Sequence, residues 1–363
     1  MATCAHTAQA VAMAAALCRR DGLLPRDVGV KELQRDLLRR GQYIPGMALD
    51  DPEDLARAAG IRASSEFAFG GFLPSGETVR LDASRAMLLP VAEWKIPAVT
   101  FLVDVTEATT LEVEIRGASR RGNFTPDETL FPDAIPLAPG PRQPVSIRCE
   151  AAHQRSAYLF FALLRNPAVS VHLTDTRVTG ILSVSQMMNA AVAKGTKQEP
   201  PAGSGIDSFE FWLPVRRPGG KNLAITVDPP LRGFAAASVA NGMSRPVEAP
   251  NAWVAAPGDS APRITLRWDS PQTIARVELV FDTDFEHPME SVLWGHPERD
   301  MPFCVRDYRI TGADGAVLAE CRDNHQTRNS VRFEPVATSE LHVEVLATHG
   351  TQPAIFEIRC YAE

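Results

Sequence analysis

The chain has 363 residues, 45% of them hydrophobic and 22% charged, and a formal net charge of −7 at pH 7. This mildly acidic composition, without a block of basic residues, excludes the positive surface by which proteins bind nucleic acid. No apolar run approaches the length of about 18 residues that a membrane-spanning helix needs, so we expect no membrane segment.

An Ala-rich helix over residues 3–20 is the first predicted element. Alanine has the lowest free-energy cost of helix formation, and the pair Asp21-Gly22 is expected to end the helix. The segment has no Lys or Arg before its apolar part and is interrupted by His6 and Gln9, which argues against a signal peptide. We therefore expect a cytoplasmic protein.

Two further helices are predicted before residue 61. In "VKELQRDLLRRG" an apolar stripe at helical spacing includes Leu33 and Leu37, and Gly41 is expected just beyond the end of the helix. The stretch "DDPEDLARAAG" predicts a short helix with Asp51 as its N-cap.

From about residue 62 the hydrophobic period changes from 3.6 to 2, which predicts short β-strands. The alternation is clearest in "TLEVEIR", where Leu111, Val113 and Ile115 face one way. The pair Asp314-Gly315 between two alternating runs predicts a tight hairpin. Turn clusters rich in Gly and Pro separate the runs, as is typical of an antiparallel β-sandwich.

We therefore predict a mainly β fold, with a short α-helical N-terminal segment followed by two antiparallel, jelly-roll-like β-sandwich domains. The small and polar residues of "MMNAAVAKGTKQEPPAGSGIDS" indicate a linker between the sandwiches. The predicted divisions are the helical segment 1–61, the first sandwich 62–190, the linker 191–206 and a second sandwich 207–363.

Two polar loops are candidate ligand sites. "RRGNFTPDETLFP" is a long excursion between two strands with polar residues around Phe124, and "DNHQTRN" is dense in hydrogen-bonding groups. Loops at the end of a sandwich can recognise sugar hydroxyls, and each of these could equally be an exposed connection. The candidate ligand-binding residues are Asn123, Asp127, Asn324, His325 and Arg328.

Cofactor and metal motifs are scarce. "DFEHPMESVLWGHPERD" brings His287 and His296 together with acidic residues, either as a metal site or as a solvated loop. The six cysteines include no C-x-x-C pair, and we predict no metal site. A G-x-G-x-x-G loop between a strand and a helix is also missing, which excludes a free-standing dinucleotide-binding enzyme.

His6 and Gln9 are polar groups in the first turns of a helix of small residues. The N-terminus of a helix presents unpaired N–H groups and a partial positive charge, which suits the anionic edge of a cofactor. The alternative is a capping turn with His6 exposed.

Residues 1–46, "MATCAHTAQAVAMAAALCRRDGLLPRDVGVKELQRDLLRRGQYIPG", closely resemble the closing segment of the flavin domain in a family of FAD-dependent oxidoreductases. Ala12 departs from the family pattern, in which glycine is common. The resemblance implies that the N-terminus of the helix faces the flavin and that His6 is a catalytic group. The residues that it assigns to cofactor binding are Thr3, Cys4, Ala5, Gln9 and Ala10.

The two β-rich modules resemble galactose-binding-like sandwiches, and the later one is similar to discoidin domains. The resemblance implies the C-terminal portion, or a partner subunit, of an FAD-dependent oxidoreductase that acts on a sugar-like polyhydroxylated substrate. Without a nucleotide-binding fold this chain is expected to hold FAD, and to be active, only together with a missing domain or another subunit. The alternative is a non-catalytic carbohydrate-binding β-sandwich protein.

Overall fold

A computed structural model describes residues 2–92, 95–122, 124–151, 154–186, 195, 197–199, 201–204, 209–215, 220–283, 304–350 and 352–363. It confirms the mainly β fold. The helices in these ranges are α1 (Ala2–Asp21) and α2 (Val30–Arg39), with 3-10 turns at Pro25–Asp27, Leu55–Ala58 and Ala236–Ala240. None of these helices is long and apolar enough to cross a bilayer.

The strands follow the helices in an order that builds three larger sheets. The first eleven are β1 (Gly60–Ala63), β2 (Phe67–Phe72), β3 (Thr78–Leu81), β4 (Arg85–Val91), β5 (Ala98–Val105), β6 (Thr109–Gly117), β7 (Glu128–Leu137), β8 (Gly140–Ile147), β9 (Ala157–Leu163), β10 (Asn166–Thr174) and β11 (Leu182–Ser185). The remainder are β12 (Lys197–Gln198), β13 (Phe209–Glu210), β14 (Leu213–Pro214), β15 (Asn222–Leu223), β16 (Ile225–Phe234), β17 (Trp253–Val254), β18 (Arg263–Phe281), β19 (Val305–Gly312), β20 (Val317–Cys321), β21 (Arg328–Thr348) and β22 (Ala354–Tyr361).

The helix ends follow the capping rules. Gly22 and Gly41 have φ of +67° and +87°, the left-handed conformation that favours glycine after a helix. Beyond α2, the backbone N–H of Gln42 donates to the carbonyl of Leu37 at 3.0 Å. The short helix predicted with Asp51 as its N-cap is instead the 3-10 turn Leu55–Ala58, whose N-cap is Asp54. The carboxylate of Asp51 is occupied by long-range hydrogen bonds instead.

The first sandwich consists of sheets I and II. Sheet I has the order β15-β10-β5-β16-β2, with β3 beside β10 and β8 beside β5, and sheet II has the order β14-β11-β4-β9-β6-β7. The two sheets enclose one core, to which the predicted inward-facing residues Leu111, Val113 and Ile115 contribute as fully buried side chains. The period-2 pattern therefore identified the core-facing residues of β6 correctly.

The second sandwich is built on sheet III, with the order β17-β22-β18-β21-β19-β20 and β1 beside β18. The first half of β18 pairs with β1 and with the second half of β21, and the second half of β18 pairs with β22. Register shifts between Arg267 and Gln272 separate the halves. Bulges of this kind let β18 and β21 bend. Each of these long strands can then contribute to both layers of the sandwich, which enclose one core. The predicted hairpin at Asp314-Gly315 joins β19 and β20.

The two sandwiches share segments that are distant in sequence. β1, which lies at the end of the helical segment, pairs with β18 of sheet III. β16, which comes after the predicted linker, pairs with β5 and β2 of sheet I. The order of the strands in the sequence therefore differs from a simple succession of the first sandwich and then the second.

A buried polar junction joins the segment after α2 to β22. The carboxylate of Asp51 accepts hydrogen bonds from Arg39 Nε at 2.7 Å and from the hydroxyl of Tyr361 at 2.8 Å. One carboxylate oxygen of Asp54 accepts from the backbone N–H groups of Ala56 at 3.0 Å and Cys360 at 2.8 Å. These bonds fix the end of α2 and the segment around Asp51 and Asp54 against sheet III.

The pKa of Asp54 predicts a pH-dependent stability. Burial raises the pKa of this carboxyl from 3.8 to about 6, although two backbone N–H groups and Arg359 oppose the shift. The folded state therefore keeps the proton over a pH range in which the unfolded state has released it. The stability contributed at this site is complete below about pH 4 and is lost as the pH rises through about 6.

We expect the variant Asp54→Asn to lack this dependence, because the amide oxygen can accept the same two hydrogen bonds. Relative to the variant, the wild-type free energy of unfolding should fall by about 2 kcal/mol between pH 4 and pH 7. Urea unfolding of both proteins at pH 4, 5, 6 and 7 measures this difference. Parallel curves for wild type and variant would show that Asp54 does not titrate in this range.

Helix α1 has little contact with the rest of the chain. Among its described side chains, Leu17 is the buried hydrophobic residue, at 3% exposure, whereas Val11 is 64% exposed. Alanine side chains cover much of the remaining surface of the helix. Helix α1 therefore presents a surface of mainly small side chains to solvent.

Candidate functional site

The outward face of sheet II carries an apolar groove. Strands β4 and β9 are buried along almost their whole length, which indicates cover on both faces. Leu89 and Phe161 point into the core of the sandwich, whereas Leu88, Tyr158 and Phe160 point outward into a separate apolar cluster. The outward cluster forms the floor of a cavity of about 410 Å³.

We call this cavity the aromatic groove. It is defined by Tyr43, Phe124, Tyr158, Phe160, Trp212 and Arg245. These residues come from five places in the chain: the turn after α2, the loop between β6 and β7, strand β9, the residue before β14, and the segment after the 3-10 turn Ala236–Ala240. The groove therefore depends on the complete fold.

The rings form two tilted pairs. The centroids of Phe124 and Tyr158 are 5.5 Å apart with an interplanar angle of 52°. Those of Phe160 and Trp212 are 5.9 Å apart at 57°. Such arrangements stabilise aromatic rings in fixed orientations. Phe124 is still 40% exposed, so part of this aromatic surface is open to solvent.

Polar groups in the groove are few. The Tyr158 hydroxyl donates to the carbonyl of Gly180 at 2.8 Å. The indole N–H of Trp212 is buried and has no hydrogen-bond partner among the described residues. The guanidinium of Arg245 lies 4.6 Å above the ring of Tyr43, and burial lowers its pKa. The groove thus combines flat apolar surfaces with one unsatisfied donor and one cation.

The loop between β6 and β7 was expected either to line a pocket or to be a long surface connection. Phe124 lines the groove, whereas Asp127 does not line it and forms hydrogen bonds within its own loop. The carboxylate of Asp127 accepts from the backbone N–H of Ser119 at 2.7 Å and from its hydroxyl at 2.6 Å. Asn123 lies outside the described residues.

In the loop from Asp323 to Asn329, the side chain of Asn324 points into the protein. That side chain is buried, and its amide nitrogen donates to the carbonyl of Val305 at 2.8 Å. His325 Nδ1 lies 3.3 Å from the carbonyl oxygen of Asp323. Arg328 lies 2.6 Å from Glu278 and lines a different cavity, next to the helical segment. In this arrangement Asn324 stabilises the loop from inside.

The residues assigned to flavin contact lie together on α1. Cys4, Ala5, His6 and Gln9 are exposed, and Ala10 is partly buried. Thr3 belongs to the first turn of α1, but its side chain is outside the described set. The backbone carbonyl of His6 accepts from the amide of Gln42 at 3.3 Å. None of these residues lines the aromatic groove.

No group of His, Cys, Asp and Glu side chains within the described ranges is arranged to hold a metal ion. The segment with His287 and His296, where a metal site was weighed against a solvated loop, is outside those ranges.

Sequence reasoning missed most of the groove. Trp212 stands in "FEFWLPV", and Tyr158 and Phe160 stand in "SAYLFFALL". A signal was present, because "YLFFALL" is apolar without alternation and therefore predicts a strand covered on both sides. What covers the second side depends on long-range contacts that the pattern does not specify.

No known family profile and no curated protein matches the chain. Three solved structures illustrate its similarities. The family 32 carbohydrate-binding module of EndoD from Streptococcus pneumoniae has 17% identity and a TM-score of 0.28, over 36% of this chain and 87% of that one. A family 32 module from Clostridium perfringens, in complex with GalNAc-β-1,3-galactose, has 12% and 0.27, over 35% and 84%. Chitosan-binding module 1 of a Paenibacillus sp. IK-5 chitosanase/glucanase has 17% and 0.27, over 36% and 86%.

Proposed function

We propose that this chain is a non-catalytic carbohydrate-binding β-sandwich protein whose sugar ligand binds in the aromatic groove. The observation that carries the proposal is the combination of aromatic rings with the unpartnered, buried N–H of Trp212. A pyranose ring has an apolar face of C–H groups and a rim of hydroxyls. The C–H face can pack on an aromatic ring while a hydroxyl accepts from the indole N–H.

The size and composition of the groove fit a small ligand of this kind. Its volume of about 410 Å³ lies within the range of roughly 300 to 1,000 Å³ for small-molecule pockets, which are mostly apolar with a few orienting polar groups. A purely apolar ligand would leave the indole N–H without a partner, at a cost of about 1 to 3 kcal/mol. A polyhydroxylated ligand avoids this penalty.

Affinity electrophoresis and calorimetry with a defined sugar panel test the proposal. The probes are galactose, N-acetylgalactosamine and soluble chitosan, which correspond to the ligands named for the neighbouring structures. We expect retention of the chain by at least one of them, with no release of a modified sugar. The variant Leu73→Ala, which removes an apolar side chain that is 85% exposed and outside the groove, should bind as wild type. Absence of binding across a broad glycan panel would contradict the proposal.

A second candidate function is favoured by the bare face of α1. We propose that α1 completes the flavin domain of an FAD-dependent oxidoreductase when the nucleotide-binding domain or subunit is present. The exposed Cys4, Ala5 and Gln9 leave the first turns of the helix open, and small side chains permit close approach. FAD would supply hydride transfer, and the backbone N–H groups of these turns would stabilise negative charge on it.

Co-expression with a nucleotide-binding domain that carries a G-x-G-x-x-G loop, taken from an FAD-dependent oxidoreductase, tests this second function. We expect the chain alone to be colourless and the complex to carry flavin absorbance. The variant Ala8→Arg, on the exposed face of α1, should abolish co-purification, whereas Val317→Arg, on a hairpin exposed elsewhere, should not. Flavin bound by the isolated chain, or a complex unaffected by Ala8→Arg, would contradict this function.

A further inference from the structure

A second cavity, of about 500 Å³, lies between the helical segment and sheet III. We call it the arginine cavity, because seven arginines and three carboxylates line it. None of these residues belongs to the aromatic groove. The arginine cavity is therefore a distinct site, and its chemistry does not depend on carbohydrate binding in the groove.

The pairing register of sheet III explains why charged residues gather here. Arg276 lies opposite Arg332 on β21 and opposite Tyr361 on β22. Two residues along β18, Glu278 lies opposite Ser330 and Arg359. Because side chains alternate along a strand, these residues share the outward face, while Val277 and Ile358 point into the core.

Most arginines in the wall already have carboxylate partners. Glu278, which is 1% exposed, lies 2.7 Å from Arg276 and 2.6 Å from Arg328. Arg39 pairs with Asp51 and, at 2.8 Å, with Glu53. Further pairs are Arg20 with Asp21 and Glu32, both at 2.6 Å, Arg39 with Asp36 at 4.0 Å, and Arg359 with Glu357 at 3.4 Å.

The negative charge of the carboxylates in and behind the cavity wall equals the positive charge of the arginines, so net charge alone does not make an anion site. An anion site is indicated instead by the positions of individual arginines. Arg40 and Arg332 have no ion pair within the described part of the chain. In addition, the Nε atom of Arg328 is buried without a hydrogen-bond partner there, whereas the Nε atom of Arg359 lies 3.4 Å from the Glu357 carboxylate.

Buried guanidinium N–H groups without acceptors are costly, and a planar or tetrahedral oxyanion matches the fork of the arginine side chain. We propose that the arginine cavity binds an oxyanion group of a small molecule, that is, a carboxylate, sulfate or phosphate. Arg40 and Arg332 supply guanidinium groups that make no ion pair within the described part of the chain, and Arg328 supplies an N–H donor without an acceptor there.

Calorimetric titration with sulfate, phosphate and glucuronate, each at constant ionic strength, tests the proposal. The inorganic ions and the sugar acid distinguish a free anion from a carboxylated sugar, and glucose is the neutral control. We expect binding of at least one anion and none of glucose in this cavity. The double variant Arg40→Gln/Arg332→Gln should bind that anion at least about tenfold more weakly.

Both substituted residues are exposed, so the double variant is expected to fold. The matched control is Arg267→Gln, an exposed arginine outside the cavity on β18, the strand that pairs with the β21 strand of Arg332; it should leave affinity unchanged. The variant Trp212→Ala should also leave anion binding unchanged, which separates this site from the groove. No binding of any of the three anions, or equal affinity in the double variant, would identify the cavity as a purely structural ion-pair network and overturn the proposal.

Discussion

Replacement of Trp212 by alanine is expected to weaken carbohydrate binding by about thirtyfold. The substitution removes both the ring that pairs with Phe160 at 5.9 Å and the unpartnered indole donor. Truncation of a tryptophan at the centre of a binding site typically costs about 2 kcal/mol or more, which corresponds to a factor of about thirty in Kd. Titration of the sugar retained by wild type measures the change.

The variant Trp212→Phe separates the two contributions. It keeps an aromatic ring but removes the N–H, so affinity should lie between those of wild type and Trp212→Ala. Phe124→Ala, on the opposite ring pair, should also weaken binding, because Phe124 provides exposed aromatic surface. Thermal unfolding checks that each variant is folded. Unchanged affinity in a folded Trp212→Ala protein would place the sugar outside the groove.

Replacement of Asp51 by alanine is expected to lower the free energy of unfolding by about 3 to 5 kcal/mol. The side chain of Asp51 is fully buried, and it accepts hydrogen bonds from Arg39, from the hydroxyl of Tyr361 and from the backbone of Glu53. Its removal leaves the buried Tyr361 hydroxyl without its acceptor, and it leaves the partly buried guanidinium of Arg39 with Glu53 and Asp36 as its remaining carboxylate partners. Urea unfolding at pH 7 measures the loss.

The neighbouring residue provides the control. The side chain of Asp50 is 90% exposed and pairs with Arg57 at 3.3 Å on the surface. Because exposed ion pairs contribute about 0 to 1 kcal/mol, Asp50→Ala should change stability by no more than that. Equal effects of the two substitutions would mean that the junction between the helical segment and sheet III is not a stabilising element.

The sequence alone predicted what depends on local patterns. The alternation of Leu111, Val113 and Ile115, the hairpin at Asp314-Gly315 and the helix ends at Gly22 and Gly41 all result from short-range rules, and the structure confirms them. Asp51 was misinterpreted as an N-cap because capping rules consider only neighbours in sequence. Its actual partner, Tyr361, is 310 residues away.

The aromatic groove and the arginine cavity were harder to predict than these local features, because both depend on which strands pair. The period of a strand identifies its inward face but not its neighbours, so the pairing of β1 with β18 and of β16 with β5 was not anticipated. The loop that carries Phe124 was noticed because it is a long polar excursion, although the residues selected in it were Asn123 and Asp127. Trp212 was not noticed, because nothing near it in sequence indicates that it packs on Phe160. Arg328 was noticed for its loop, and its position at the arginine cavity results from the register of sheet III.

A crystal structure of the chain with the sugar that it binds best is the most direct test of carbohydrate binding in the aromatic groove. We expect a pyranose ring packed on Trp212 and Phe124, with a hydroxyl within hydrogen-bonding distance of the indole N–H. Sugar density at the loop from residue 323 to 329, with none in the aromatic groove, would contradict this site.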